Sequence, residues 1–507
     1  MKLSLSPIST ITESENYKWF AYVTIAIGIG MSVIDQSGLN IAIPAISKYF
    51  SLDIPTIQWL ILANILTTSA LFLPMGRLAD TVGIKKIYLT GFVIFGIGAL
   101  IAGNSTSYNV LLFAKIFQGF GTACIQANGM YMATNIFPEN ERGRALGLYV
   151  SIIGMGAILG PVIAGILIEQ FGWRSIFFSS LFVAIVAFLF GLFILKSDDK
   201  SFGKKFNFDW TGALISSVAL IILLLGVTNI HRYEFLSIES TGAIIFGLIL
   251  LTAFIIWESK SSNPMLAVHF FKVPQFSLGV LTRLLAFISF SSTMFLMPFY
   301  LIQVLEYKTN VSGLLLISSA FFMAIISPFS GRLSDRFGTK WISMLGIFFI
   351  GSAAFIFSTL TIDSGPLIII IGLSISGAGW AIFSSPNTST IMGSLPIENR
   401  GVVSALLQLT RTTANLVSIA FSTLLVTLTM RSDGYQADLS SITRSDNLDV
   451  FVSYDPNNMK ERNNNGAYPP DLSVITKARK YGVDYIYNFL LGYVEPPKGM
   501  EVGNGMW

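Results

Sequence analysis

Thirteen apolar runs, each long enough to cross a bilayer, constrain this chain more than any other feature. They fall at about 18–46, 57–76, 87–105, 109–134, 145–169, 174–195, 210–230, 241–257, 276–303, 312–330, 341–360, 366–392 and 402–430. One such run fits a buried core helix; a dozen do not. Charged residues are 12% of the 507 and hydrophobic residues 53%, roughly half the charged share of a soluble domain. Lipid offers the backbone no hydrogen-bond partner, so the spans are expected to be helical, and the fold class is all-α polytopic membrane protein. The opening "MKLSLSPISTITESENYKW" has no short apolar segment followed by a cleavage site, and no signal peptide is read there. A single cysteine, Cys124, excludes an intrachain disulfide.

The loops between spans carry an orientation signal. With the N-terminus in the cytoplasm, seventeen Lys and Arg residues fall on inside segments and four (Lys48, Arg174, Arg232 and Lys308) on outside loops. This is the positive-inside bias. It implies a multi-pass protein of the plasma (inner) membrane.

Two loops repeat one another. Residues 76–86 read "GRLADTVGIKK" and residues 331–341 read "GRLSDRFGTKW". A repeat at equivalent places implies two homologous halves with substrate between them. Gly76 and Gly331 allow close helix approach, Gly83 and Gly338 a permissive turn, and Asp80 and Asp335 a helix cap or a pair with an arginine. Arg77, Lys85 and Arg332 add the positive charge expected of an inside turn.

Four ionisable residues fall well inside spans: Asp35, Lys115, Arg283 and Arg411. Each costs roughly 2.5–3.5 kcal/mol on insertion scales and needs a partner or water. Asp35 is the sole carboxylate. Its depth differs from that of Lys115 by under about 10 Å at helical rise, so the two are expected to pair. Burial favours a protonated carboxyl and a nearby lysine opposes it, which makes Asp35 the candidate proton carrier; a static pair holding two helices is the plainer reading. Arg283 is expected to snorkel towards the inner face. Asn40, Gln58, Asn64, Gln118, Gln126 and Arg411 are candidates to line a cavity. Enzyme signatures and a Walker-type phosphate loop are absent, so ATP is not the expected energy source, and no cofactor, metal or nucleic acid is expected.

The repeat "GRLADTVGIK" and "GRLSDRFGTK" resembles the signature G-x-L-a-D-r-x-G-r-k of the major facilitator superfamily, departing at Thr81 and Ile84. "GAILGPVIAG" (156–165) resembles the antiporter signature G-x-x-x-G-P-x-x-G-G through Gly156, Gly160, Pro161 and Gly165, with Ala164 in place of one glycine. "IDQSGLNIAIP", "IQWLILANIL", "FGWRSIFF", "FDWTGALI", "MPFYLIQVL" and "NRGVVSALLQLTRTTANL" are similar to segments of the 14-span drug:proton antiporters, the QacA-like and EmrB-like exporters. Lys115, in "AKIFQGFGTA", replaces that family's arginine, and unlike arginine a desolvated lysine can lose its proton.

The resemblance implies a major facilitator fold of two pseudo-symmetric bundles, 1–200 and 263–430, joined by two linker spans at 201–262, with a gating role for the repeated loops. It implies a proton-coupled exporter of hydrophobic or cationic compounds working by alternating access, with a periplasmic adaptor as partner in a Gram-negative cell. A narrow-specificity metabolite exporter or importer of the same fold is the alternative. The fourteenth span is expected in the family and is not found: 431–507 reads as a non-membrane tail. Residues 463–507, with "NGAYPPDLS" and "EPPKG", resemble a fragment of cytochrome c1. No Cys-x-x-Cys-His accompanies them, so no haem is expected, and a fusion or rearrangement that left an inactive product is the third reading.

Overall fold

A computed structural model of the chain describes residues 16–52, 54–196, 208–229, 238–261, 264–396 and 399–432. The tail expected at 431–507, with its cytochrome c1-like part, therefore lies outside the described residues from 433 onward.

Among the described residues the molecule is all helix, without strands, and thirteen long helices dominate it. They are α1 Tyr17–Phe50, α2 Trp59–Val82, α3 Ile84–Gly103, α4 Tyr108–Ile136, α5 Arg142–Phe171, α6 Ser175–Ile194, α7 Trp210–Asn229, α8 Ile238–Lys260, α9 Pro274–Phe299, α10 Thr309–Phe337, α11 Thr339–Ser358, α12 Pro366–Gly393 and α13 Arg400–Ser432. Twelve are apolar enough along their length to cross a membrane. The remaining one, α13, carries Arg400, Gln408 and Arg411 and packs on α2, α4, α7 and α9.

Helix ends extend past the apolar windows. The second run was expected to end near 76, but α2 continues to Val82, and α10 likewise continues through Arg332 and Asp335 to Phe337. A formed helix continues wherever its backbone bonds are satisfied, polar side chains included. What stops both is one glycine. Gly83 (φ 114°) and Gly338 (φ 86°) hold the positive φ that turns α2 into α3 and α10 into α11. The repeated motif is thus the last turn of a helix followed by a one-residue corner.

The two halves meet through α5 against α10 and α12, and α13 against α2 and α4. Small residues set these distances. A Cβ on Gly147 (α5) would strike the Ser327 carbonyl of α10, and one on Gly76 (α2) would lie 2.6 Å from the Ala405 Cβ of α13. Helices α7 and α8 pack on each other, and α7 rests on α2 and α13.

Gly338 and Gly165 both face open space, so a methyl group meets nothing at either. Only Gly338 has a left-handed backbone. Gly338→Ala is expected to destabilise the protein by about 1–3 kcal/mol, while Gly165→Ala, inside α5, is expected to stabilise it by about 0.5–1 kcal/mol; melting of the detergent-solubilised variants checks this.

Candidate functional site

The first polar centre lies inside the helices of the first half. Asp35 of α1 and Lys115 of α4 pair at 3.0 Å, with side chains 5% and 1% exposed. Ser180 of α6 donates its hydroxyl to Asp35 Oδ1 at 2.8 Å, and Gln118 Nε2 donates to the same oxygen at 3.4 Å. Lys115 Nζ donates to Gln118 Oε1 at 2.6 Å and stands 5.7 Å above the Phe177 ring. Asn64 of α2 donates to the Lys115 carbonyl at 3.0 Å. Asp35 is therefore a carboxylate held by three donors on two other helices, facing α4 and α6.

The second centre is a cavity of about 240 Å³ where the halves meet. Its lining comes from α4, α5, α9, α10, α12 and α13. One wall is aromatic: Phe290 stacks on Trp380 at 5.4 Å and Phe287 meets the same indole edge-on at 4.8 Å. Another wall is basic. Arg283 Nη1 donates to Thr388 Oγ1 at 2.8 Å, and Arg411 Nη2 donates to Gln126 Oε1 at 3.1 Å. Gln408 donates to the Tyr149 hydroxyl at 2.8 Å.

Arg283 corrects an expectation. It was read as a snorkelling residue, yet it lies nine residues into α9, about 13 Å along the axis, and is 3% exposed. The apolar register gave its depth but not its direction, and it turns to the cavity instead of the membrane face.

Gln126 lies between the two centres and ties α1 to α13. Its Nε2 donates to Ser32 of α1 at 3.1 Å, one turn before Asp35, while its Oε1 holds Arg411. Lys115, Gln118, Thr122 and Gln126 share one face of α4 by spacing. Of the six residues read as cavity-lining, only Arg411 is in the wall, with Gln126 behind it. Asn64 and Gln118 belong to the Asp35 network. Asn40 is exposed on α1 and Gln58 half-buried at the start of α2; neither lines the cavity.

A third set of contacts seals the end of the halves where the repeated motif lies. Asp335 accepts the Gly143 N–H at 2.8 Å and the Arg144 N–H at 2.9 Å, capping α5 across the interface. Asp80 occupies the matching place against Gly401 and the Val402 amide at the start of α13. Gly331 packs directly on the Gly143 carbonyl. Neither aspartate makes an ion pair among the described residues, so of the two roles considered the structure has the cap. Arg77 is half-buried beside Asp80, Arg332 is exposed, and Lys85 donates to the Leu192 carbonyl at 3.0 Å and to that of Leu195 at the end of α6. The receiving glycines, Gly143 and Gly401, follow Arg142 and Arg400, a second repeat that sequence reading missed; the shared Arg-Gly at each helix start was its signal.

In the antiporter-like segment, Gly156 and Gly160 lie against Val33 and Ser37 of α1, and Ser37 donates to the Gly156 carbonyl at 3.1 Å. Pro161 sits inside α5, and Gly165 meets nothing.

The Major Facilitator Superfamily family model matches residues 25–419. The chain belongs to that superfamily. It is 32% identical over 404 residues to the riboflavin transporter RibZ of Clostridioides difficile (strain 630), covering 80% of this chain and 87% of the relative. It is 28% identical over 402 residues to multidrug resistance protein Stp of Mycobacterium tuberculosis (strain CDC 1551 / Oshkosh), covering 78% and 74%. The crystal structure of the human organic anion transporter MFSD10 (TETRAN) superposes with a TM-score of 0.60 at 13% identity, covering 84% of this chain and 96% of that one. A Cytochrome C1 family model matches residues 418–507. The chain is a multi-pass membrane transporter, and its family is one of transporters rather than enzymes.

Removing one member of a buried pair strands the other charge. Lys115→Ala is expected to destabilise by about 3–5 kcal/mol, and adding Asp35→Asn to recover much of that. Denaturation of the single and double variants in detergent measures the coupling.

Proposed function

We propose that this transporter is a proton-coupled exporter of hydrophobic aromatic compounds, working by alternating access in the plasma membrane with its N-terminus in the cytoplasm. The observation that carries the reading is the Asp35 network, the sole carboxylate well inside the spans; one turn earlier on the same helix Ser32 meets Gln126, which holds Arg411 at the cavity.

The chemistry follows from the contacts. Deprotonated, Asp35 satisfies Lys115, Ser180 and Gln118 together, and α1, α4 and α6 are held in register. A proton on Asp35 removes the charge that Lys115 faces, so the three helices lose their common tie. Because Gln126 contacts both α1 and α13, a shift of α1 changes how the second half is held. The caps at Asp335 and Asp80 are the contacts that part when the motif face opens. Each cap is worth about 1 kcal/mol, small enough to break in every cycle.

The name of Stp supports drug export. The name of RibZ supports a second reading, a narrow-specificity metabolite transporter, because it is 32% identical to this chain. The expected cationic substrates find no counter-charge in the cavity, whose lining has no Asp or Glu.

The test is dye efflux from energised cells, using fluorescein loaded as its diacetate and rhodamine 123, with and without a protonophore. At least one dye is expected to leave faster than from cells lacking the protein, and the protonophore and Asp35→Asn each to abolish uphill export. Full export in either condition, or no export of either dye, overturns the reading.

A further inference from the structure

We infer that the cavity is a binding site for amphipathic aromatic anions, a carboxylate or similar oxyanion on a planar ring system. This rests on the proposed function only in taking the cavity as the substrate site.

The cavity holds two guanidiniums and no carboxylate. Arg283 is 3% exposed, makes one described side-chain hydrogen bond, to Thr388, and its Nε has no partner. Arg411 makes one, to Gln126. A guanidinium offers five donors. Both line the same cavity as the Tyr149 side chain. Two like charges in a low-dielectric space, each without an anion, make an uncompensated arrangement that an incoming oxyanion would relieve.

The same chain shows what a structural buried cation looks like. Lys115 is supplied with Asp35 at 3.0 Å and with Gln118. Arg283 and Arg411 have only neutral hydrogen-bond partners among the described residues, and both side chains line the cavity. Arginine also matches the planar geometry of a carboxylate, and it keeps its charge when buried.

One and two turns along α9 from Arg283 stand Phe287 and Phe290, which meet Trp380 of α12, and Met294 of α9 and Met323 of α10 complete this part of the lining. Stacked rings and pliable thioethers accept a flat apolar body. The site is therefore two-ended, with a charge-reading end on α9 and α13 and an aromatic end on α9 and α12. An organic cation would put its charge beside two others; a neutral ring would leave both guanidiniums unpaired.

Fluorescein and rhodamine 123 share one ring skeleton and differ in charge, which makes them the probes. Equilibrium binding is measured by fluorescence anisotropy on the full chain in lipid nanodiscs, with no proton gradient. Fluorescein is expected to bind at least about tenfold more tightly than rhodamine 123. Arg283→Gln and Arg411→Gln are each expected to weaken fluorescein by about tenfold, to leave rhodamine 123 equal or tighter, and Arg411→Lys to restore part of the loss.

Equal or tighter binding of rhodamine 123 by the unaltered protein, no binding of fluorescein, or unchanged fluorescein affinity in both folded Gln variants overturns the proposal. If the variants melt early, the two-dye comparison on the unaltered protein decides alone. Binding without a gradient is independent of coupling. A protein that binds fluorescein yet fails the protonophore test keeps its anion site, and one that exports only rhodamine 123 by proton exchange keeps its proposed function without it.

Discussion

Hydrocarbon offers no hydrogen bonds, and the rest of the structure depends on that. Backbone groups must be satisfied within each segment, so every span is a helix. Once helices are obligatory, lipid tails are as apolar as the side chains, and burial alone gives little reason to associate. Close backbone approach supplies the contact. Gly147 against Ser327, Gly377 against Ser319 and Gly121 against Phe95 are places where a methyl group would strike a neighbouring backbone. Threonine hydroxyls then donate to the carbonyl four residues earlier in their own helix, as Thr68 does to Asn64 and Thr122 to Gln118, and stay satisfied in place.

Against that background, buried charge is the exception that carries function, and the chain treats it in two ways. Asp35 and Lys115 neutralise one another on facing helices, with Ser180 and Gln118 completing the shell. Arg283 and Arg411 face a cavity without an anion. The first arrangement is complete in itself; in the second, Arg283 Nε has no partner among the described residues. Gln126 ties α1 to the second, bonding Ser32 with its amide nitrogen and Arg411 with its oxygen.

The repeated motif adds polar contacts between the two halves beside a buried apolar cluster that draws Phe72 and Leu73 from one half and Val402 and Leu406 from the other. Each half ends a helix with an aspartate that lies on the first turn of a helix in the other half: Asp335 on α5 and Asp80 on α13. Helix N-termini carry free N–H groups and a partial positive charge, so a carboxylate is a natural cap. A single cap is weak, about 1 kcal/mol. At this end the halves are held by two caps and by glycine packing.

Much of this was legible in the residues. Thirteen apolar runs correspond to thirteen long helices among the described residues, and the paired "GRLxDxxGxK" segments mark two equivalent corners. That is because hydropathy and motif are local properties: whether a helix forms, and where glycine ends it, depends on neighbours in the chain. Direction across the bundle is not local. Nothing in "SIFFSSLF" separates Ser180, which bonds Asp35, from Ser179, which bonds its own Ile176 carbonyl. Nothing in "GVLTRLLAF" tells whether Arg283 reaches for the membrane face or the cavity. Asn40 and Gln118 read alike as polar residues in apolar runs, yet one is exposed and the other completes the ion pair. Sequence alone determined the helices, the repeat and the depth of each charge; the tertiary structure decided which charges meet, because partners so far apart in the chain are chosen only by how the helices rotate and pack.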